Sequence, residues 1–373
     1  MILNPGFIKN IVAWPFATAF FLTFIAVPAV ISLANYLYLV DNPKVRPHAA
    51  HTEERVIPRA GGLAILFGLL AAIFLFIPFS KQMVGIVSGA VVLVIIGLID
   101  DYRDTNPYVR LFGANLIAAL LAVGAGAGIP YITNPFGGVI HLDTLRITVN
   151  FLGQHSFLPL ADLASVVWIV WVMNMVGWSG GVDGQLPGFV GIAAFFIGIL
   201  SLGQIGVDNF PYWTVAALSF ITAGAYFGFL PWNFYPQKIM PGYGGKALAG
   251  FLLAVISVLS VTKIGTAILV LGVPMIDAVY VMIGRILKHQ SPVWDSRTHL
   301  HHKLLDIGWS KRRVALFYWV VSAILGAAAL ILNGRQKFFA FVFLAVTFLM
   351  VVLWLSLYSH WRAPSGFGNG SKT

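Results

Sequence analysis

Long apolar stretches separated by polar segments occupy the chain from residue 12 to residue 358. The hydrocarbon core of a bilayer is about 30 Å thick, and an apolar helix of roughly 17 to 25 residues crosses it. The pattern therefore predicts an all-α fold with eleven membrane-spanning helices. They lie near residues 12 to 38, 60 to 79, 83 to 99, 109 to 128, 159 to 177, 186 to 204, 211 to 230, 247 to 262, 264 to 284, 314 to 333 and 338 to 358.

The polar segments between these stretches are short. The longest cover residues 39 to 59, 129 to 158 and 285 to 313, and none has the length or composition of a separate soluble domain. We therefore expect a single integral membrane domain over residues 1 to 373, with a disordered polar tail at residues 365 to 373.

The composition excludes an ordinary water-soluble globule. Only 10% of the residues are charged and 59% are hydrophobic, whereas soluble domains carry about 25% charged residues. Cysteine is absent, so the sequence also excludes a disulfide framework, a thiolate zinc site and a cysteine nucleophile.

The distribution of Lys and Arg predicts the orientation in the membrane, because cytoplasmic loops keep an excess of cations. If the segment after the first span is inside, 17 of the 23 cations lie inside. This predicts an outside N-terminus and an inside C-terminus. Topology thus accounts for most of the +10 net charge, and nucleic acid is not needed as a partner. The six outside cations are Lys9, Lys81, Arg146, Lys263, Arg335 and Lys337.

The acids and histidines collect on the same predicted side, although the topology rule says little about acids. Ten of the thirteen acids and seven of the nine histidines lie in or next to the inside segments. Such a mixture of carboxylates, imidazoles and cations is typical of a site for a phosphorylated, metal-bound substrate.

Asp100 and Asp101 end the third apolar stretch. Adjacent carboxylates at the edge of the hydrocarbon are costly unless they are paired or solvated. The pair has two interpretations, a Mg²⁺ site built on hard oxygen ligands or a solvated cap on a membrane helix.

His299, His301 and His302 fall in the segment from 285 to 313, between Arg297 and Lys303. Three imidazoles flanked by cations suit the capture of an anionic group or proton transfer near neutral pH. A zinc cluster is a further interpretation, but cysteine and closely spaced carboxylates are missing here.

Three further segments carry candidate chemistry. Residues 174 to 188 contain five glycines with Asp183 as their only acid. The glycines have two interpretations: they let backbone N–H groups approach a phosphate closely, or they form a flexible loop between helices. Residues 232 to 246 are rich in glycine and aromatic residues, as is typical of an interfacial belt. Asp277 lies inside the ninth apolar stretch, so we expect it to make a buried hydrogen bond or to face a site.

Taken in order, these segments resemble the polyprenyl-phosphate N-acetylhexosamine-1-phosphate transferases of the glycosyltransferase 4 family. The resemblance runs from about Asp41 to Arg313, and its His-Leu-His-His form is similar to the branch that uses N-acetylglucosamine. Its most specific parts are Gly97 to Asp101 with Asp104 and Arg110, and Asp295 to Leu305 with Gly308; Pro58 to Gly62, Pro274 with Asp277, and Asn233 to Lys238 support it.

The resemblance implies a Mg²⁺-dependent enzyme, with Mn²⁺ as an alternative, in the inner (plasma) membrane. Undecaprenyl phosphate attacks the β-phosphorus of a UDP-N-acetylhexosamine on the cytoplasmic side and releases UMP, which starts cell-envelope polysaccharide synthesis. A homodimer is a family-level expectation. The implied catalytic residues are Asp100, Asp101, His299, His301 and His302; the implied substrate-binding residues are Arg59, Asn174, Asn233, Arg297, Lys44 and Arg46; the implied metal ligands are Asp183, Asp100 and Asp101.

The chain departs from the family pattern at three positions. Gly177 and Gly180 stand where the family usually carries an Asn and an Asp, and Tyr243 stands where an Asp binds the metal. A phenol is neutral at pH 7 and is a poor Mg²⁺ ligand. A non-catalytic relative that binds nucleotide sugar or polyprenyl phosphate is therefore kept as the alternative. A secondary transporter is disfavoured, because its ionisable groups would lie near the bilayer midplane.

Overall fold

A computed structural model describes residues 5–45, 52–53, 55–103, 105–150, 154–206, 212–260, 263–291 and 297–362. Arg46, Asp104 and the tail at 365–373 lie outside these described residues.

The described residues are mainly helical, as the apolar pattern predicts. π-helical turns at Lys9–Ala13 and Arg110–Asn115 join α1 to α2 and α5 to α6. The helices are α1 (Pro5–Ile8), α2 (Trp14–Tyr36), α3 (Gly61–Phe76), α4 (Lys81–Arg103), α5 (Pro107–Val109), α6 (Leu116–Gly124), α7 (Pro159–Trp178), α8 (Gln185–Leu202), α9 (Tyr212–Asn233), α10 (Gly242–Leu259), α11 (Lys263–Val270), α12 (Gly272–Ile286), α13 (Leu300–Asp306), α14 (Lys311–Ile331) and α15 (Gly334–Arg362).

Each of the eleven predicted apolar stretches forms helix, which confirms the polytopic all-α membrane fold. Within the described ranges, nine helices are long and apolar enough to cross a membrane, or ten if α11 and α12 form one broken span. The one remaining predicted stretch, near residues 60 to 79, is α3. Its 16 residues extend about 24 Å at 1.5 Å each, which is less than a full bilayer core.

The predicted span 264 to 284 is not one straight helix. It bends by 82° between α11 and α12. Pro274 explains the break, because proline has no N–H to donate to the carbonyl of Val270 and its ring clashes with that carbonyl. The bend lets α12 begin in a new direction, and Asp277 lies in its second turn.

Helices α9 and α10 form the centre of the bundle. Of the 18 most apolar consecutive residues in each helix, 78% are buried in α9 and 83% in α10, compared with 17% in α15. Glycines allow close packing here: a Cβ on Gly97 of α4 would overlap the backbone of Gly244 in α10, and a Cβ on Gly62 of α3 would overlap Gly245. Small residues at such crossings let membrane helices approach closely.

Short strands interrupt the helical pattern. β1 (Val40–Asp41) pairs antiparallel with β2 (Ile57–Pro58), just before α3. Two hairpins, β3 (Tyr131–Thr133) with β4 (Val139–His141) and β5 (Ile147–Asn150) with β6 (Gln154–Phe157), fill the predicted polar segment between α6 and α7. The spacing of apolar spans did not predict these hairpins, since each strand is only three or four residues long.

Candidate active site

The glycine crossing of α4 and α10 places Asp101 at the start of α10. Asp101 follows Gly97 by four residues and so lies on the same face of α4. Its Oδ1 accepts a hydrogen bond from the backbone N–H of Tyr243 at 3.1 Å. Gly242, the first residue of α10, has φ of +67°, and a Cβ there would overlap both the Arg59 carbonyl and the Asp101 carboxylate. Glycine is therefore required at this close approach.

Arg59 binds Asp101 from the strand side of the site. Its Nε lies 3.2 Å from Asp101 Oδ1, and its Nη1 lies 3.6 Å from Asp41 Oδ1. The β1–β2 pairing brings Asp41 opposite Ile57, two residues before Arg59. A partly buried guanidinium between two buried carboxylates offsets their repulsion and orients Asp101.

Asp100 is held separately, on the side of α4 that faces α5 and the following π-helical turn. Its Oδ1 accepts hydrogen bonds from Arg110 Nε at 2.7 Å and from the backbone and hydroxyl groups of Thr105. Asp100 is fully buried, and its Oδ2 has no hydrogen-bond partner among the described residues. A buried carboxylate oxygen without a donor is costly in a finished core and is typical of a site that meets a ligand.

Tyr243 connects the two halves of this carboxylate pair. Its hydroxyl donates to Asn115 Oδ1 at 2.6 Å and also contacts the Arg110 carbonyl at 3.2 Å. The Arg110 guanidinium lies 5.5 Å from the centre of the Tyr243 ring, in cation–π geometry. Tyr243 thus supports Arg110, and Arg110 supports Asp100.

Residues 237–243, which we call the strap, follow α9 and run along the site into the first two residues of α10. Gln237 N donates to Asp183 Oδ2 at 3.2 Å at one end, and Tyr243 N donates to Asp101 at the other. Between them, Met240 N donates to the Pro58 carbonyl, and the Met240 carbonyl accepts from Gly61 N. The strap therefore ties the Asp183 loop to the carboxylate pair through main-chain groups.

Asp183 lies in the loop between α7 and α8 and is fully buried. Lys311 at the start of α14 approaches it, with Nζ 3.4 Å from Asp183 Oδ1 and 3.2 Å from Glu53 Oε2. Burial opposes ionisation of Glu53, but hydrogen bonds from Arg55 and the charge of Lys311 outweigh it and lower the Glu53 pKa to about 2. Lys311 thus joins three separate segments of the chain.

The histidine motif begins α13 and packs against the Asp183 loop. A Cβ on Gly181 would overlap the His301 ring, so glycine is required for this contact. The His299 and His301 rings are parallel with centres 5.7 Å apart, and the His302 ring centre lies 4.2 Å from that of His301. Burial, together with the neighbouring His302, His299 and Lys246, lowers the His301 pKa well below its usual value. His301 is therefore neutral at pH 7.

The remaining sequence-predicted residues differ in how they are placed. Asn233 is buried and its amide is fully occupied: it accepts from Gly184 N and donates to Gln237 Oε1 and the Ile239 carbonyl. Asn233 therefore holds the loops together in this structure rather than presenting its amide outwards. Asn174 donates to the carbonyl of Val170, one turn back in α7.

Two of the predicted substrate-binding cations, Arg297 and Lys44, are exposed. Arg297 pairs with Asp306 at 2.9 Å, and about half of each side chain is exposed. Lys44 is exposed in the segment after β1. Arg46, predicted beside Lys44, lies outside the described residues. Arg59 alone among the predicted substrate-binding cations contacts the carboxylate pair in the described part of the chain.

The structure does not assemble Asp100, Asp101 and Asp183 into one ligand group. Within the described ranges, no three Asp, Glu or His side chains are arranged to hold a metal ion. The Asp183 carboxylate instead lies 3.4 Å from Lys311 Nζ and accepts the Gln237 N–H. Asp100 and Asp101 still fit Mg²⁺, which is commonly held by one or two carboxylates together with substrate phosphates and water. Asp100 Oδ2, which has no hydrogen-bond partner within the described ranges, is an observation in favour of this smaller set.

Sequence reasoning missed several residues that build the site. Lys311 was only one of the 17 predicted inside cations, and no individual role was predicted for Glu53, Asn115 or Gln237. The available signal was the burial cost of Asp183: an acid in an otherwise uncharged glycine-rich segment needs a cation, and a lysine at the start of an apolar span is a suitable partner.

The amino-acid sequence is similar to those of known proteins over most of its length. The model for glycosyl transferase family 4 matches residues 83–261. A protein of Mycobacterium leprae (strain TN), named decaprenyl-phosphate N-acetylglucosaminephosphotransferase, is 34% identical over 346 residues, which cover 84% of this chain and 82% of that protein.

Two further relatives show the range of the similarity. The "probable undecaprenyl-phosphate N-acetylglucosaminyl 1-phosphate transferase" of Bacillus subtilis (strain 168) is 27% identical, covering 94% of this chain and 93% of that protein. The phospho-N-acetylmuramoyl-pentapeptide-transferase of Desulforudis audaxviator (strain MP104C) is 28% identical, covering 84% of this chain and 96% of that protein.

Proposed function

The chain belongs to glycosyl transferase family 4, and from this premise we propose that it transfers N-acetylglucosamine-1-phosphate from UDP-N-acetylglucosamine to undecaprenyl phosphate. A phosphate oxygen of the lipid forms a bond to the β-phosphorus of the nucleotide sugar. The bond from that phosphorus to the bridging oxygen breaks, UMP leaves with the oxygen, and a lipid diphosphate-linked sugar remains. The observation that carries this proposal is the buried Asp100–Asp101 pair at the end of α4.

The acceptor lipid reaches the site from the bilayer, whereas the nucleotide sugar reaches it from water. Asp101 lies at the junction of the membrane helices α4 and α10 with the strand pair that carries Arg59. In the proposed reaction Arg59 holds the lipid phosphate, and Asp101 orients it or takes its proton. Phosphoryl transfer depends mainly on positioning and charge neutralisation, and a carboxylate held by two fixed donors supplies the positioning.

The histidines serve the donor side of the same reaction. His301 packs on Gly181, so the histidine motif and the glycine-rich loop lie against each other. The Gly181 carbonyl also accepts a hydrogen bond from the Thr52 hydroxyl at 2.8 Å. We assign His299, His301 and His302 to the diphosphate of the nucleotide sugar, with Arg297 at the rim. Asn233 then shapes the nucleotide end through the loops that it holds, and we assign Asn174, on the last turns of α7, to the same end.

Magnesium remains part of the proposal. Asp100 and Asp101 would hold the ion, which would neutralise charge on the diphosphate during transfer. Asp183 is not needed as a ligand in this arrangement; its contacts with Lys311 and Gln237 fix the loop behind the histidines instead. The excess of Lys and Arg on the predicted inside segments supports a cytoplasmic site in the plasma membrane.

The test is turnover by the purified full chain in nanodiscs. With radiolabelled UDP-N-acetylglucosamine, undecaprenyl phosphate and Mg²⁺, we expect labelled lipid and an equal amount of UMP. Asp101→Asn should lower the rate at least about 100-fold, as expected for removal of a group that acts in proton transfer. Asp143→Asn, which changes an exposed acid beside His141 in the β3–β4 region, is the matched control.

A product made from another UDP-N-acetylhexosamine would correct the donor alone, and full activity in Asp101→Asn would contradict the assigned role.

The second candidate function is that of a non-catalytic relative that binds nucleotide sugar or polyprenyl phosphate. One observation favours it: the Tyr243 hydroxyl contacts Asn115 and Arg110 rather than a metal site. Binding of UDP-N-acetylglucosamine without turnover in the same preparation would favour it.

A further inference from the structure

Asp277 is a buried acid to which the proposed reaction gives no role. It lies in the second turn of α12, after the 82° bend, and is fully buried. Both of its oxygens are used: Oδ2 lies 2.8 Å from His299 Nδ1, and Oδ1 accepts the backbone N–H of Leu300 at 2.8 Å. The carboxylate therefore has two separate contacts with the histidine motif.

The first contact fixes the chemical form of His299. An ionised carboxylate is an acceptor only, so the proton of the neutral imidazole must be on Nδ1. This leaves Nε2 as the ring nitrogen with a lone pair, and the described residues make no hydrogen bond to it. The His299 ring is also parallel to that of His301, so its plane is fixed as well as its tautomer.

The second contact positions the helix that follows. Leu300 is the first residue of α13, and its N–H is one of the donors that a helix start leaves without an intrahelical partner. Asp277 satisfies this donor from another helix. The same carboxylate thus orients His299 and anchors the short helix that carries His301 and His302.

We propose that Asp277 is a positioning residue that presents His299 Nε2 to a phosphate group of the substrate. This rests on the proposed function, since it assigns His299 to that phosphate. The diphosphate of a nucleotide sugar is fully ionised at pH 7, so Nε2 takes up its proton from solvent and then donates a hydrogen bond to a phosphate oxygen. The Asp277 carboxylate then balances the positive charge on the imidazolium, and no other group changes its protonation.

The substitution Asp277→Asn separates the two contacts. The asparagine carbonyl still accepts the Leu300 N–H, so α13 remains anchored. The amide nitrogen, however, donates a hydrogen bond and needs an acceptor at Nδ1 of His299, so the proton of the ring moves to Nε2. The variant should therefore fold normally but present a neutral Nε2–H to the phosphate, without the carboxylate that balances an imidazolium.

The first measurement is independent of activity. We would label the full chain with ¹⁵N-histidine in nanodiscs, record two-bond nitrogen–proton correlations above pH 7, and assign His299 by its loss in His299→Gln. The expected result is an Nδ1-protonated His299 in the wild type and an Nε2-protonated His299 in Asp277→Asn. An Nε2-protonated wild type, or an unchanged tautomer in the variant, would overturn the proposal whether or not the protein is a transferase.

The second measurement is the rate of lipid product formation. We expect Asp277→Asn and His299→Gln each to lower kcat roughly 100-fold at a melting temperature close to that of the wild type. The double variant should be no slower than either single variant, because both remove the same unit. Asp277→Glu should recover part of the rate. The matched control is Asp143→Asn, which alters an exposed His–Asp pair and should leave kcat unchanged.

Two kinetic results would contradict the proposal. If the effects of Asp277→Asn and His299→Gln multiply in the double variant, the residues act separately. If the loss of rate in Asp277→Asn follows a lower melting temperature, the role of Asp277 is structural only. Absence of turnover in the wild type would count against the proposed function and would leave the tautomer measurement as the test of the pairing.

Discussion

The ammonium group of Lys311 lies 3.4 Å from the carboxylate of Asp183, although 128 positions separate the two residues along the chain. The same ammonium reaches Glu53, so α14 is joined both to the α7–α8 loop and to the segment before β2. This relationship explains why a fully buried acid is tolerated in the glycine-rich loop: its charge is compensated from another helix.

Removing Lys311 is the first test of that relationship. Lys311→Met leaves the Asp183 carboxylate buried without its cation, and breaking such a pair costs about 3 kcal/mol of unfolding free energy. The double variant Lys311→Met with Asp183→Asn should regain part of this loss. Arg313→Met, an exposed cation on the same turn of α14, is the control. Denaturation in detergent followed by circular dichroism measures all four proteins, and equal stability of the two lysine variants would contradict the pairing.

Tyr243 carries a second prediction. Tyr243→Phe removes the donor to Asn115 Oδ1, which is buried and would be left unsatisfied. We expect unfolding free energy to fall by about 1 to 3 kcal/mol and the transfer rate to fall as well, because Arg110 loses its support beside Asp100. Tyr36→Phe changes an exposed tyrosine and serves as the control. A wild-type melting curve for Tyr243→Phe would show that the hydroxyl contact is unimportant.

The glycine crossing gives a third prediction. Gly97→Ala places a Cβ inside the backbone of Gly244, and relieving this overlap must separate α4 from α10. Overpacking of this kind costs about 1 to 3 kcal/mol, and it should also displace Asp101 from Tyr243 N. In contrast, Gly284→Ala meets no atom within 4 Å and should be neutral or stabilising, since alanine favours helix by about 1 kcal/mol. Thermal melting and transfer rate are the measurements.

His301 predicts a dependence of stability on pH. Burial, followed by the neighbouring imidazoles and Lys246, lowers its pKa below the unfolded value of 6.5, so the folded protein holds His301 neutral. Below that pH only the unfolded chain binds the proton, and stability falls as pH falls, by up to about 1.4 kcal/mol per pH unit. Denaturation at several pH values between 7.5 and 5.5 should show a shallower decline for His301→Asn. Parallel curves would contradict the neutral buried histidine.

The sequence predicted the parts of this protein that depend on local pattern. The stretch predicted at 186 to 204 is α8 at Gln185–Leu202, because a long apolar run in lipid must satisfy its own backbone. The expectation that Asp277 makes a buried hydrogen bond is confirmed by His299 and Leu300. That expectation follows from the energetic cost of burying an unpaired carboxylate.

Features that depend on pairing between distant segments were not predictable in the same way. No local pattern pairs Lys311 with Asp183 or Tyr243 with Asn115, since these contacts follow from how helices are arranged. The grouping of Asp183 with Asp100 and Asp101 came from the family resemblance, whereas the contact of Asp183 with Lys311 is visible only in the structure. The bend before Asp277 was missed because hydropathy alone treats residues 264 to 284 as continuous, although Pro274 is visible in the sequence.

The strap reaches Asp183 and Asp101 with peptide N–H groups. The gap between these two acids is consequently set by the length and path of the backbone, and Gly242, with φ of +67°, is the position where that path requires a particular residue. Exchange of most side chains from residue 237 to residue 243 can therefore leave the separation intact, whereas inserting or deleting a single residue would shift one acid against the other. Relatives with little identity here can keep the same spacing, provided that they keep the same number of residues.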